Sequence, residues 1–303
     1  VGDTLNIFDE SQSVGHQYLI DADSVRRDLE TVAEYEAIET INLKSGEGND
    51  QLTVELPVLA AVITFDAGGQ TEIDRFVVEG TATSNDVRIA DLVSEAAVRS
   101  PFEVEGVELI QVQGGSSLED DNDTMINDTG VPALLLGEGG DDVLVGGTGT
   151  DVAIGGTGIN AMFGNLGDDF LIADVSLLSV DIEPPMVSTE IDINPSGGDL
   201  IFGNLGEGND LGYFDEAVAL VPPGSHPDFV DEVEFLIENG AVKGVWSWLL
   251  ARFPEPSESS IQELVDRAIT RLLAEAGANS LSFESEDGDT SGTGEPEPSQ
   301  SDG

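Results

Sequence analysis

Apolar residues recur along this chain in short runs broken by Gly, Asn and Asp, the pattern of many short strands joined by tight turns. Thr4 to Phe8, Ile38 to Leu43, Gln51 to Leu56, Val62 to Phe65, Arg75 to Val78 and Val107 to Val112 each alternate or run apolar. Residues 1–130 therefore predict an irregular β-solenoid or a β-sandwich-like region, and the pattern does not choose between them. From Gly137 the period becomes regular, and four nonapeptides follow without interruption: GEGGDDVLV, GGTGTDVAI, GGTGINAMF and GNLGDDFLI. Gly occupies position one (Gly137, Gly146, Gly155, Gly164) and position four (Gly140, Gly149, Gly158, Gly167). Position six is Asp142, Asp151, Asn160 and Asp169. At this chain's glycine frequency, eight glycines at eight required places have odds on the order of 10⁻⁸ to 10⁻⁷ for a given register.

The residues around the tandem block carry weaker copies of the same turn. Ser45 to Leu52 keeps its glycine and aspartate spacing, while Gly68 to Phe76 and Gly114 to Met125 read as the turn with insertions. Beyond the block the pattern resumes at Gly197 to Ile201 and Gly203 to Asp210. The break over 173–196 contains Pro184, Pro185 and Pro195 and predicts an excursion loop. These features divide the chain into a β-rich region (1–130), a repeat region (131–215), a C-terminal cap (216–281) and an acidic tail (282–303). Within the cap, Ser260 to Ala276 places Ile261, Leu264, Val265, Ala268, Ile269, Leu272 and Leu273 on one helical stripe. Ser260 and Glu263 suggest a capping box and Gly277 a stop. Asp231 to Trp248 is ambiguous: Asn239-Gly240 argues for a hairpin, and Val245 to Phe253 could form a short helix. The tail has almost nothing to bury and predicts disorder.

The nonapeptide resembles the G-G-x-G-x-D-x-U-x repeat of the RTX (repeats-in-toxin, haemolysin-type) calcium-binding family. That resemblance implies a mainly β fold with a parallel β-roll over 131–215, in which each nonapeptide is half a coil. Turns then stack every eighteen residues, pairing Asp142 with Asn160 and Asp151 with Asp169. Calcium, a hard cation wanting six to eight oxygens, suits glycine-rich turns whose carbonyls converge. The position-six side chains supply the charge, and on charge alone the Asp142–Asn160 pair should bind more weakly. The resemblance implies that the other ligands are carbonyls of the same turns: Gly137, Gly139, Gly146, Thr148, Gly155, Thr157, Gly164 and Leu166. The same residues could instead form turns without metal, since Gly and Asp both tolerate such conformations. The copies near Asp50, Asp74 and Asp123 look isolated, and a lone turn lacks a stacked partner to complete a coordination shell.

One departure is informative. Positions seven and nine of a bare roll face solvent, yet here they are Val143, Val145, Val152, Ile154, Ala161, Phe163, Phe170 and Ile172. Something should cover the outside of these strands: the 260–276 helix, the N-terminal strands or a partner protein.

Charge narrows the functional classes. Ten Lys plus Arg against sixty-one Asp plus Glu give a net charge of −51, which disfavours nucleic acid and anionic membrane surfaces. So large an imbalance repels itself unless cations bind at specific sites or the surface is adapted to high salt. There is no cysteine, so thiolate metal sites, disulfides and a cysteine nucleophile are excluded. No signal peptide or membrane-spanning run is visible. The start at Val1 suggests a processed chain or a piece of a larger polypeptide. His16 and His226 read as loop residues, and Trp246 and Trp248 as core anchors or, if exposed, a carbohydrate grip. Asp287 to Gly292 starts like an EF-hand loop but has Pro298 at its twelfth position. Asn122-Asp123-Thr124 and Asn127-Asp128-Thr129 match the glycosylation pattern, as chance alone often does.

The expected function is a non-enzymatic, calcium-binding structural or adhesive module of a secreted or cell-surface protein, folding when calcium binds and meeting a protein or carbohydrate partner. The alternative is a non-catalytic accessory domain of an exported protease or lipase whose catalytic part lies elsewhere, since no nucleophile elbow or HExxH occurs here. A third reading is a salt-adapted domain with no specific metal; it explains the charge but not the period. The C-terminal tail does not resemble the uncleaved signal of the type I secretion route that the resemblance implies.

Overall fold

The computed structural model describes residues 3–9, 14–58, 60, 62–68, 73–92, 101–115, 121–173, 175–183, 186–193, 200–202, 211–215, 235–238 and 258–277. Among these residues the fold is mainly β, with two large sheets, one two-stranded hairpin and a C-terminal helix. The first sheet is parallel throughout. Its spatial order is β1 (Thr4–Phe8), β5 (Thr40–Lys44), β7 (Val62–Asp66), β10 (Phe102–Glu105), β9 (Asp86–Asp91), β12 (Thr124–Asp128), β14 (Val143–Val145), β16 (Ala161–Phe163) and β20 (Leu200–Phe202). The second sheet runs β22 (Phe235–Glu238), β21 (Leu211–Asp215), β17 (Phe170–Ile172), β15 (Asp151–Ile154), β13 (Ala133–Leu136), β11 (Leu109–Gln113), β8 (Arg75–Glu79), β6 (Gln51–Glu55) and β2 (Gln17–Ile20). It ends in β3 (Ser24–Arg27) and β4 (Glu30–Glu34), which pair antiparallel and make this sheet mixed.

From β5 to β8 and from β11 to β17 successive strands alternate between the sheets. Val143 lies opposite Ala161 and Val152 opposite Phe170, each eighteen residues on. This is why position eight must be apolar. Leu144, Ala153, Met162 and Leu171 all point between the sheets and are buried in one core with Phe65, Phe76, Ile89 and Met125. The strands before residue 130 belong to the same two sheets, so their register continues into the repeat. Where β9 and β10 follow one another, both lie in the first sheet and swap order.

The stretch expected as an excursion loop is instead a hairpin. β18 (Val175–Glu183) and β19 (Met186–Ile193) pair antiparallel, and β16 still finds β20 beyond them in register. An insertion that returns to its starting point costs the ladder no hydrogen bond.

The helix, α1, spans Glu258–Glu275. Its start corrects the expected cap, because Ser260 lies inside the first turn rather than before it. Gly277 ends it with φ +79°, a left-handed conformation that glycine adopts without steric cost. The stripe Ile261, Leu264, Val265, Ala268, Ile269, Leu272, Leu273 is buried against Leu109, Leu134, Leu136, Val152, Ile154, Phe170 and Ile172 on the outer face of the second sheet. Val175, Leu177 and Ile191 of the hairpin close the same cluster. Each large side chain so buried is worth about 1.5–3 kcal/mol, which offsets much of the cost of ordering the helix. The helix thus covers half of the eight apolar outer positions. Val143, Val145, Ala161 and Phe163, on the outer face of the first sheet, are half-buried.

Phe235–Glu238 is a parallel strand beside β21. The readings for Asn239-Gly240, 245–253, Trp246, Trp248, His226, the EF-like stretch and the tail lie outside the described residues. Asn127 is buried, and its side chain donates to the Val131 carbonyl, so the glycosylation match there is a core residue.

Candidate metal centre

Every strand of the repeat is entered through a turn whose position-six side chain points inward at the end of the core. Asp142, Asp151, Asn160 and Asp169 are all essentially inaccessible to solvent, at 0–1 % exposure. Burying carboxylates this deeply costs several kcal/mol each unless hydrogen bonds or cations compensate. Part of the compensation is a ladder along the stack. One oxygen of each side chain accepts the backbone N–H of the preceding coil: Asp142 from Asp123 at 2.8 Å, Asn160 from Asp142 at 3.0 Å, Asp151 from Ala133 at 2.9 Å and Asp169 from Asp151 at 3.0 Å. The pairing of Asp142 with Asn160 and of Asp151 with Asp169 is therefore physical. An amide oxygen serves the ladder as well as a carboxylate oxygen, which is why Asn fits at position 160.

The second oxygens differ. Asp151 Oδ2 accepts the Gly147 N–H at 2.6 Å, and its Oδ1 also takes the Asn127 side-chain amide at 3.2 Å. Asp142 Oδ2 is buried and has no hydrogen-bond partner. Hydrogen bonding thus leaves an oxygen available in the turn that charge counting ranks second. Burial pushes the carboxyl of Asp142 up to about 7, with repulsion from Asp123, Asp121 and Asp141 adding to it. Burial likewise raises Asp151 to about 7 against the pull of its hydrogen bonds.

The position-one glycines explain why no side chain is tolerated there. A Cβ on Gly137 would lie 2.5 Å from Asp142 Oδ2 and 2.5 Å from the carbonyl oxygen of Gly155. On Gly146 it would meet Asp151 Oδ2 at 2.6 Å and the Gly164 carbonyl at 2.7 Å. Gly164 holds Asp169 Oδ2 in the same way, whereas the atom cradled at Gly155 is the amide nitrogen of Asn160, whose oxygen serves the ladder. Each cradle therefore gathers a position-six side chain, and at Gly137 and Gly146 a carbonyl from the next coil as well. Of the remaining expected ligands, Gly139 bridges to Thr157 across the stack, and the Thr157 carbonyl already accepts the Gly140 N–H. Thr148 and Leu166 sit on the exposed lip of their turns. Among the described residues, no three His, Asp or Glu side chains converge as a metal cluster. An ion here would take most of its ligands from the backbone.

The copies of the turn that look isolated in the sequence are stacked in the fold. Asp50 accepts the His16 N–H at 2.7 Å, Asp74 that of Asp50 at 2.7 Å, and Glu108 that of Asp74 at 2.7 Å. On the other side, Asp123 accepts from Asn85 at 2.6 Å and leads into Asp142. The sequence reasoning missed these columns because coil lengths there vary. The signal that could have found Asp123 is its position nineteen residues before Asp142, one more than the repeat spacing. Position-four glycines Gly140, Gly158 and Gly167, and Gly48 in the earliest copy, share φ between +106° and +129°. His16 is partly buried at the end of the column of Asp50, Asp74 and Glu108, with its ring nitrogen Nδ1 2.6 Å from Asp28.

Several of the described cations pair with carboxylates, while Arg75 reaches the Gln111 side chain. Arg27 and the Tyr18 hydroxyl both reach Asp9, Lys44 pairs with Asp66, and Arg271 of α1 pairs with Asp168 in the last repeat turn. Among the described residues, no helix is long and apolar enough to cross a membrane. Compared with protein-family models, with curated proteins and with solved structures, the chain matches none.

Proposed function

We propose that this chain is a calcium-stabilised, non-enzymatic structural or adhesive module of a secreted or cell-surface protein, built around an RTX-type parallel β-roll. The observation that carries the reading is the buried oxygen of Asp142, unpartnered beside a glycine cradle that also presents the Gly155 carbonyl. The donor set is all oxygen, from carboxylates, an amide and carbonyls, which suits Ca²⁺ and not a softer metal. Asp142, Asp151, Asn160 and Asp169 would hold the ions with carbonyls of Gly137, Gly146, Gly155 and Gly164. Bound calcium would supply the positive charge that the buried columns lack. With a net charge of −51, self-repulsion weakens the ion-free fold, and calcium met on export would tighten and stabilise it.

The test is a calcium titration of the purified chain in chelator-treated buffer at fixed ionic strength, followed by far-UV circular dichroism and calorimetry. Magnesium and sodium serve as controls. β-Structure that appears or stiffens only with calcium, and a transition weakened by Asp151→Ala with Asp169→Ala, supports the reading. A chain equally folded in sodium chloride and indifferent to calcium would leave salt adaptation as the explanation of its charge.

A further inference from the structure

The turn over 121–123 differs from the repeats it adjoins. Asp123 occupies the position-six place, donating its N–H to Asp142 Oδ1. Asp121 stacks on Gly140, because a Cβ on Gly140 would run into the Asp121 carbonyl. Asp121 thus puts a carboxylate where all four repeats have glycine. It is only 2 % exposed, and neither of its carboxylate oxygens has a hydrogen-bond partner. Asp123 Oδ2 is equally buried and unpartnered. It closes, together with the carbonyl oxygen of Gly137, on the corner that a Cβ of Gly114 would fill. A cradle of the kind formed at Gly137 therefore recurs one coil earlier, with an additional acid beside it.

We infer that the seam between the 121–123 turn and the first repeat turn binds a divalent cation of the calcium type, with Asp121, Asp123 Oδ2 and the Gly137 carbonyl among its ligands. Two carboxylates from one turn exceed the charge that the Asp142–Asn160 pair supplies and match that of Asp151–Asp169, and charge count tunes calcium affinity over decades. Without a cation, three buried carboxylate oxygens of two neighbouring acids are left with no donor, a cost of the kind that native structures rarely leave uncompensated. The inference uses the turn chemistry proposed for the repeats but concerns residues outside them.

Calorimetric titration of the full chain with calcium chloride, after chelator treatment, separates the two. Asp121→Asn keeps the shape and removes the charge; it should weaken one calcium equivalent by about tenfold or more and leave the others intact. Asp169→Asn should affect a different equivalent. Circular dichroism checks the fold of each variant, and Asp121→Gly, which restores the glycine of the repeats, serves if the asparagine variant is unfolded. If Asp121→Asn and Asp121→Gly bind calcium with the wild-type stoichiometry and affinity, the inference is overturned, and a loss in Asp169→Asn alone would leave the repeat sites standing. A wild-type chain that takes up no calcium would overturn both.

Discussion

Asp142 offers the sharpest test of how the buried columns are balanced. Its carboxyl titrates near 7 in the ion-free fold against 3.8 for the ordinary group. A raised carboxyl means that the folded state holds a proton the unfolded chain has lost. Between pH 4 and pH 7 the unfolded state therefore binds fewer protons, and stability falls as pH rises through that window. Three pH units correspond to at most about 4 kcal/mol, and to roughly half that once solvent screening near the turn is allowed for. Asp142→Asn keeps the acceptor oxygen needed by the Asp123 N–H, as Asn160 does naturally one coil on. In chelator, this variant should be more stable than the wild type by about 2 kcal/mol at pH 7.5, and indistinguishable from it near pH 4. In millimolar calcium the sign should reverse at pH 7.5, because the variant has lost a charged ligand. The assay is urea denaturation followed by circular dichroism at each pH, with and without calcium. Acid also relieves the general repulsion of so anionic a chain, so the difference between variant and wild type is the quantity to read. A variant that is destabilised at pH 7.5 in chelator would refute the argument that this carboxylate is a buried, uncompensated charge.

Other outcomes follow from the packing. Leu272→Ala, at a fully buried position of α1, should cost about 2–5 kcal/mol in urea denaturation and expose the outer face of the second sheet to a hydrophobic dye. Gly137→Ala would place a methyl group against Asp142 Oδ2 and the Gly155 carbonyl; it should lower stability in chelator and weaken the calcium response further, whereas unchanged calcium binding would show that the cradle holds no ion. Glu138 sits at φ +70°, so Glu138→Gly should raise the midpoint of unfolding by the equivalent of about 1 kcal/mol. Arg271→Ala, which breaks a partly exposed ion pair with Asp168, should cost no more than about 1 kcal/mol in 0.15 M salt.

The local and periodic features are legible in the one-letter pattern. Four nonapeptides dictate strands offset by eighteen residues, because glycines at fixed intervals force turns at fixed intervals, and Val143 opposite Ala161 follows. The apolar residues at positions seven and nine announced a cover, and the stripe on Ile261 to Leu273 announced a helix able to provide one. That the helix lies on the second sheet and not the first comes from packing alone, since both outer faces are apolar and their sequences do not distinguish them. Packing also decided that Asp50, Asp74 and Glu108 stand in one column. Their separations of 24 and 34 residues follow no repeat, and loops of unequal length can close the same coil at little difference in entropy. The fates of the two oxygens of Asp142 and Asp151 were settled the same way. A one-letter pattern records that a carboxylate is present, but which neighbour's N–H it accepts depends on how the coils stack.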